Sequence, residues 1–125
     1  MGIGLFATGF ARALRDRAVV EAQLPTLTRP VKADGVHGWL YPVRSQLGDL
    51  FQLFVWFDGS AYQVKVVEPA IEDERPHACH LFPDGRICLG EEAGGGEATL
   101  EIAYARSVVW ANGYSVYRRD GHFPY

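Results

Sequence analysis

Residues 50–67 read LFQLFVWFDGSAYQVKVV and combine two apolar runs with a tight-turn signal. In the first run, residues 51, 53, 55 and 57 fall on one face of a strand, while Phe54 and Trp56 make the other face apolar too. Asp58-Gly59 is typical of a hairpin turn, and residues 62–67 alternate as the returning strand. We therefore predict an antiparallel hairpin whose first strand, residues 50–57, is covered on both faces.

The sequence on either side predicts further elements around this hairpin. Residues 36–43 have strand character, and apolar residues at helical spacing follow Thr99, a suitable N-cap, as far as Gly113. A first helix, ended by Pro25, is predicted from an apolar stripe that we expect to face the core: Leu5, Phe6, Phe10, Ala13, Leu14 and Ala18. The pattern predicts an α+β fold with an N-terminal helix, an antiparallel β-meander, a long loop and a C-terminal helix.

Length and composition set the broad class of the protein. The 125 residues, 48% hydrophobic and 22% charged, are expected to form a single folded domain spanning residues 1–125. The net charge of −3 provides no broad basic surface, which disfavours nucleic-acid binding. No apolar stretch is long enough to span a membrane, and residues 1–11 lack the features of a signal peptide. We expect a cytoplasmic protein without a cofactor or a membrane partner.

The irregular stretch at residues 68–96 contains the densest group of reactive side chains. Its segment PHACHLFPDGRICLG, residues 76–90, includes both cysteines of the chain, Cys79 and Cys88, which do not amount to a disulfide framework. Cys88 lies between Ile87 and Leu89, and alternation around these apolar residues predicts that its sulfur faces outward. A thiolate is a strong nucleophile near neutral pH, so Cys88 is a candidate nucleophile.

This segment resembles the active-site segment of ubiquitin-conjugating enzymes, in particular their short bacterial branch. Residues 85–89, Gly-Arg-Ile-Cys-Leu, match the family's Gly-x-Ile-Cys-Leu stretch, which makes Cys88 the acceptor cysteine. The family places the asparagine of a His-Pro-Asn tripeptide eight residues before its cysteine, and His80 stands there, after Ala78 and Cys79. The resemblance implies the ubiquitin-conjugating-enzyme-like α+β fold. It also implies that His80 acts as an oxyanion donor, a base or a residue that orders the loop.

The resemblance further implies a cysteine-dependent acyl transferase. Cys88 would accept a ubiquitin-like protein as a thioester from an activating-enzyme-like protein and pass it to an amine on a target protein. Asp84 would orient or deprotonate that amine, although an Asp before Gly also suits a turn. Arg12, Arg15 and Arg17 would dock the activating enzyme, because the family uses its first helix there, although a solvated helix face also explains them. Similar bacterial proteins are found with deubiquitinase-like proteases, often in antiphage operons. The resemblance therefore implies a deubiquitinase-like protease as a partner and an antiphage pathway as the setting.

Three other interpretations stay open. His77, Cys79, His80 and Cys88 could ligate zinc, although their spacing does not form two close pairs. The chain could be a cysteine hydrolase, for which His77, His80 and His122 are the candidate bases. It could also be a non-catalytic binding module of the same fold. In each case Cys79 is interpreted as a structural or incidental thiol.

Overall fold

The computed structural model describes residues 2–71, 76–90 and 93–125, with the side chains of residues 2–8, 76 and 93 outside the description. It is an α+β protein in which a four-stranded antiparallel sheet, ordered β1-β2-β3-β4, lies in sequence between two helices. The elements are α1 (Gly2–Gln23), β1 (Arg29–Ala33), β2 (Val36–Arg44), β3 (Leu50–Phe57), β4 (Tyr62–Glu68) and α2 (Leu100–Asp120). Short 3₁₀ turns occupy Pro76–Cys79 and Ala93–Gly95.

The predicted hairpin is confirmed, and its inner face forms the core. Phe51, Leu53 and Val55 of β3 are fully buried, and α2 crosses this face of the sheet. The Tyr41 hydroxyl of β2 lies 2.6 Å from the Ser107 hydroxyl of α2. A buried polar contact of this kind fixes the position of the helix over the sheet.

The outer face of β3 differs from the prediction. Both helices contact the inner face, so the expected cover of the second side is only partial, although Phe54 on that side is just 6% exposed. Phe54 and Trp56 instead stack on each other, with ring centroids 5.6 Å apart. Phe54 also lies over β2 at Gly38, where a Cβ atom would come within 2.6 Å of the ring. The two aromatic rings thus shield one another without a second layer.

Strand β1 was not predicted, because Pro30 was interpreted only as a helix breaker. Pro30 pairs with Trp39 at the edge of the sheet. A proline lacks the backbone N–H that an interior strand requires, but an edge strand tolerates this loss.

Helix α1 turns the opposite face to the core from the one predicted. Phe10 and Leu14 are 67% and 55% exposed, whereas Asp16 and Val20 are buried. The Tyr62 hydroxyl donates a 2.7 Å hydrogen bond to Asp16. Burial, together with this bond, raises the pKa of Tyr62 to about 12. Asp16 is therefore buried with Tyr62 as its partner, on a helix that also buries Val20. The predicted stripe members Leu5 and Phe6 lie outside the described side chains.

Helix α2 starts as predicted but does not end at Gly113. Thr99 is its N-cap, and its hydroxyl accepts a hydrogen bond from the Ile102 backbone. The helix continues for two turns to Asp120 and ends at Gly121, whose φ of 83° is left-handed. A glycine inside a helix costs about 1 kcal/mol relative to alanine, so contacts of the later turns must offset the loss at Gly113.

Candidate active site

A tight turn at residues 82–86 attaches the long loop to the sheet. The Phe82 N–H donates to the Arg86 carbonyl at 2.8 Å, and Gly85 has a φ of 89°, which favours glycine. The next residue, Ile87, donates its N–H to the Val64 carbonyl of β4 at 2.9 Å. The backbone is therefore anchored to β4 one residue before Cys88.

Cys88 presents its side chain to solvent. Ile87 and Leu89 are buried in the core on either side of it, whereas Cys88 is exposed. The predicted alternation around the cysteine is confirmed. The Cys88 N–H also donates to the His80 carbonyl at 2.9 Å, so the backbone that carries the thiol is held from two sides.

His80 lies beside this cysteine in an uncommon backbone conformation. Its φ is 57°, in the left-handed region that few non-glycine residues adopt. The turn directs the carbonyl of His80 at the Cys88 N–H, and its exposed imidazole packs on Phe123 at a centroid distance of 4.7 Å. His80 and Cys88 line the same groove, so the structure brings these two predicted site residues together.

The groove has a volume of about 790 Å³ and follows one face of α2. Ile102 and Val109 of α2 line it and are 42% and 48% exposed. Arg106 lies between them along the helix and is held at the rim. Its Nε is 3.3 Å from a carboxylate oxygen of Glu97, which is itself buried. The groove is thus largely apolar, with Arg106 and Glu101 among its charged lining residues.

The glycine-rich segment after the cysteine is hydrogen-bonded to the backbone that directly follows Cys88. The Gly95 carbonyl accepts hydrogen bonds from the N–H groups of Leu89, at 2.8 Å, and Gly90, at 3.1 Å. A Cβ atom on Gly95 would lie 3.6 Å from the Cys88 sulfur and 2.8 Å from the Phe82 ring. The distance to the sulfur is an ordinary van der Waals contact, but a side chain at position 95 would collide with the Phe82 ring.

Asp84 lies apart from the thiol groove. Its carboxylate accepts the Arg86 N–H at 3.0 Å and pairs with the Arg86 Nε at 2.8 Å. Burial acts to raise the pKa of Asp84, but the hydrogen bonds from Arg86 outweigh it and hold this pKa below its usual value. Asp84 lines a separate cavity of about 540 Å³ on the outer face of the sheet. In this position it stabilises the turn, and its role toward an incoming amine stays a prediction.

The second cysteine and the possible zinc ligands are arranged differently. Cys79 is fully buried, and its carbonyl accepts a 2.8 Å hydrogen bond from the Trp110 indole. His77 is exposed. Within residues 2–71, 76–90 and 93–125, no three metal-ligating side chains form a cluster. The four residues considered for zinc are therefore not brought together as a ligand set.

The three arginines of α1 fall into two groups. Arg12 pairs with Asp16 at 3.2 Å, and its guanidinium lies over the Phe57 ring at 4.5 Å. Arg15 and Arg17 are exposed. Within the described part of the chain, Arg12 has these two contacts and Arg15 and Arg17 form no ion pair.

Sequence reasoning missed Arg106 and Phe123 of the groove, and it missed the close approach of Gly95 to Phe82. Arg106 had no sequence signal, because its pairing with Glu97 spans a loop and a helix turn. Gly95 was interpreted only as part of a loop, although a glycine run close to a candidate nucleophile can indicate close backbone approach. Phe123 lies far along the chain and was not connected with His80.

Neither described helix combines the length and apolar character needed to cross a membrane. Comparisons of the chain with protein-family models, with curated proteins and with solved structures found no match.

Proposed function

We propose that this protein is a conjugating enzyme that carries a ubiquitin-like protein as a thioester on Cys88. One observation supports the proposal above all others. The Cys88 thiol is exposed at the side of an apolar groove, while both neighbouring side chains are buried and its backbone is hydrogen-bonded. A fixed, accessible thiol next to a channel suits a nucleophile that must receive a long acyl chain.

The order of elements supports a ubiquitin-conjugating-enzyme-like fold. An N-terminal helix, a four-stranded antiparallel meander, a loop with the cysteine and a following helix succeed one another. The Gly-Arg-Ile-Cys-Leu stretch at residues 85–89 then falls where the family places its acceptor cysteine. Both the arrangement and the motif favour the same interpretation.

The reaction consists of two acyl transfers. In the first, the Cys88 thiolate attacks the thioester carbonyl on the activating enzyme, and the activating enzyme's thiolate leaves. In the second, an amine of the target attacks the new thioester carbonyl, the carbon–sulfur bond breaks, and the amine proton passes to the departing Cys88 sulfur or to solvent. The products are an amide and the free thiol, so no further energy source is needed after loading.

We assign to His80 the stabilisation of the tetrahedral intermediate. Its imidazole lines the groove together with Cys88, and an imidazole N–H can donate a hydrogen bond to a developing oxyanion. Removing one such donor slows acyl transfer on the order of 100-fold. His80→Ala should therefore slow discharge of the thioester by about this factor, and His80→Asn should restore part of the rate.

We assign Arg15 and Arg17 to the docking of the activating enzyme. Their charge is exposed on α1, and exposed charges change the rate of association more than the stability of the fold. Charge reversal of both should slow thioester loading at low salt and leave unfolding unchanged. Arg12→Glu, which removes the contacts with Asp16 and Phe57, should instead destabilise the protein.

The proposal is tested by trapping the acyl group on oxygen. Cys88→Ser, mixed with an activating enzyme, ATP and a ubiquitin-like protein, should form an adduct that resists thiol reagents, because an ester replaces the thioester. Cys79→Ala is the matched control and should load like the wild type, since Cys79 is buried. If the wild-type protein hydrolysed simple esters and neither it nor Cys88→Ser accumulated an adduct, the protein would be better described as a cysteine hydrolase. Absence of both would leave a binding module.

A further inference from the structure

The segment after α2 folds back onto the helix. Gly121 reverses the chain with its left-handed φ of 83° and donates its N–H to the Tyr117 carbonyl at 2.7 Å. Phe123 then packs against the buried core. It enters the groove that also contains His80 and Cys88.

Gly113 provides the place where Phe123 sits. A Cβ atom at this position would lie 2.5 Å from the Phe123 ring and 2.8 Å from the Tyr125 ring. Side-chain atoms do not approach so closely, so any larger residue at position 113 must displace the aromatic rings. The interior glycine of α2 is thus explained by a notch for Phe123.

Phe123 in turn contacts the ring of His80. The two ring centroids are 4.7 Å apart, with the planes inclined by 57°, a separation at which aromatic rings attract one another. The His80 backbone is already fixed through its carbonyl contact with the Cys88 N–H. Phe123 therefore adds a restraint on the side-chain torsions of this exposed imidazole.

We propose that Phe123 is a positioning residue, seated in the Gly113 notch, that holds the His80 imidazole in its place beside Cys88. The inference rests on the function proposed above, because His80 acts on the acyl group there. A histidine restrained in one orientation meets the reacting carbonyl without the loss of torsional freedom, which is the usual benefit of a preorganised site.

Two kinds of variant separate this role from general stability. Phe123→Leu keeps apolar volume in the notch but removes the aromatic ring, and Phe123→Tyr keeps the ring. Gly113→Ala should push Phe123 away although alanine is the better helix former. His122→Ala is the matched control, because His122 is an exposed neighbour in the same segment. Far-UV circular dichroism and urea unfolding verify that each variant is folded.

The first measurement needs no partner protein. In spectra of protein labelled with ¹³C-histidine, the His80 ring signals should carry the ring-current shift of the adjacent Phe123. Phe123→Leu and Gly113→Ala should move these signals toward those of a free imidazole, while Phe123→Tyr and His122→Ala should leave them in place. Unchanged His80 signals in folded Phe123→Leu would overturn the proposed contact.

The second measurement follows the chemistry with a defined probe. Cys88 is loaded by exchange with an N-acetylglycine thioester, and transfer of the acyl group to a lysine amide is followed in single turnover. Phe123→Leu should slow transfer on the order of 10-fold, and Phe123→Tyr should restore it. In a His80→Ala background, Phe123→Leu should have no further effect. An equal slowing in that background would refute a role through His80. If His80→Ala itself left the rate unchanged while the ring signals behaved as expected, the chemistry assigned to His80 would fail and the contact would stand.

Discussion

Replacing Ser107 with alanine removes the hydrogen-bond partner of a phenol at the centre of the domain. Tyr41 and Ser107 are both fully buried, and their hydroxyl oxygens are 2.6 Å apart. The Ser107 hydroxyl donates to the Tyr104 carbonyl at 2.7 Å, so its proton is committed and Tyr41 must be the donor. Burial raises the pKa of Tyr41, although Ser107 opposes this shift in part, and the phenol stays protonated.

The two single variants of this pair are not equivalent. Ser107→Ala leaves the buried Tyr41 hydroxyl without Ser107 as acceptor, which should lower the free energy of unfolding by about 1–3 kcal/mol. Tyr41→Phe removes the donor instead, and Ser107 keeps its bond to the Tyr104 carbonyl. Its loss should be about 1 kcal/mol or less. The double variant should be more stable than Ser107→Ala alone.

Urea unfolding at pH 7 measures these differences, provided that the dependence of the free energy on urea is the same in all variants. In a domain of this size, each kcal/mol also lowers the melting temperature by roughly 3–5 °C. A larger loss in Tyr41→Phe than in Ser107→Ala would refute the assignment of donor and acceptor. Losses below about 0.3 kcal/mol in both would show that this bond does not hold α2 on the sheet.

Two further predictions concern a surface ion pair and the glycine-rich segment after Cys88. The hydrogen bond from Arg119, at 2.7 Å, lowers the pKa of Asp49 from 3.8 to about 2. The stabilisation of the fold by this ion pair is therefore present above about pH 4 and is lost as the pH falls toward 2. Because Arg119 is partly exposed, Asp49→Asn should cost only about 1 kcal/mol at neutral pH, and urea midpoints of the variant and the wild type should converge near pH 2. Gly95 and Gly35 share a φ of +79°, but a Cβ atom at Gly35 meets open space whereas one at Gly95 meets Phe82. Both alanine variants should lose about 1–2 kcal/mol to backbone strain, and Gly95→Ala should lose clearly more; equal urea midpoints would contradict the close approach.

The features that were predictable from sequence depend on local rules. Alternation and the Asp58-Gly59 turn define the hairpin, Thr99 marks the start of α2, and the apolar neighbours of Cys88 predict its exposure. Each of these signals lies within a few residues of the feature that it predicts. The thiol at the centre of the candidate site could therefore be found without a structure.

The features that were missed depend on partners distant in sequence. The buried side of α1 includes Asp16, whose hydrogen-bond partner Tyr62 is 46 positions away, and periodicity treats an aspartate only as a surface residue. From local preference, Gly113 was expected to end α2. It instead lies inside the helix, where Phe123 occupies the space that a side chain at position 113 would need. The outer face of β3 was expected to lie under a covering layer, but Phe54 and Trp56 stack on each other there.

Intact-mass spectrometry tests the central proposal most directly. The protein is mixed with a ubiquitin-like protein, an activating-enzyme-like protein and ATP, with Cys88→Ala in parallel. We expect the wild type to gain the mass of the modifier less one water, to lose it on treatment with a thiol reagent, and the variant to gain nothing. An adduct that persists in Cys88→Ala, or a wild type that never acquires one while its activating enzyme is loaded, would contradict the assignment of Cys88 as the thioester carrier.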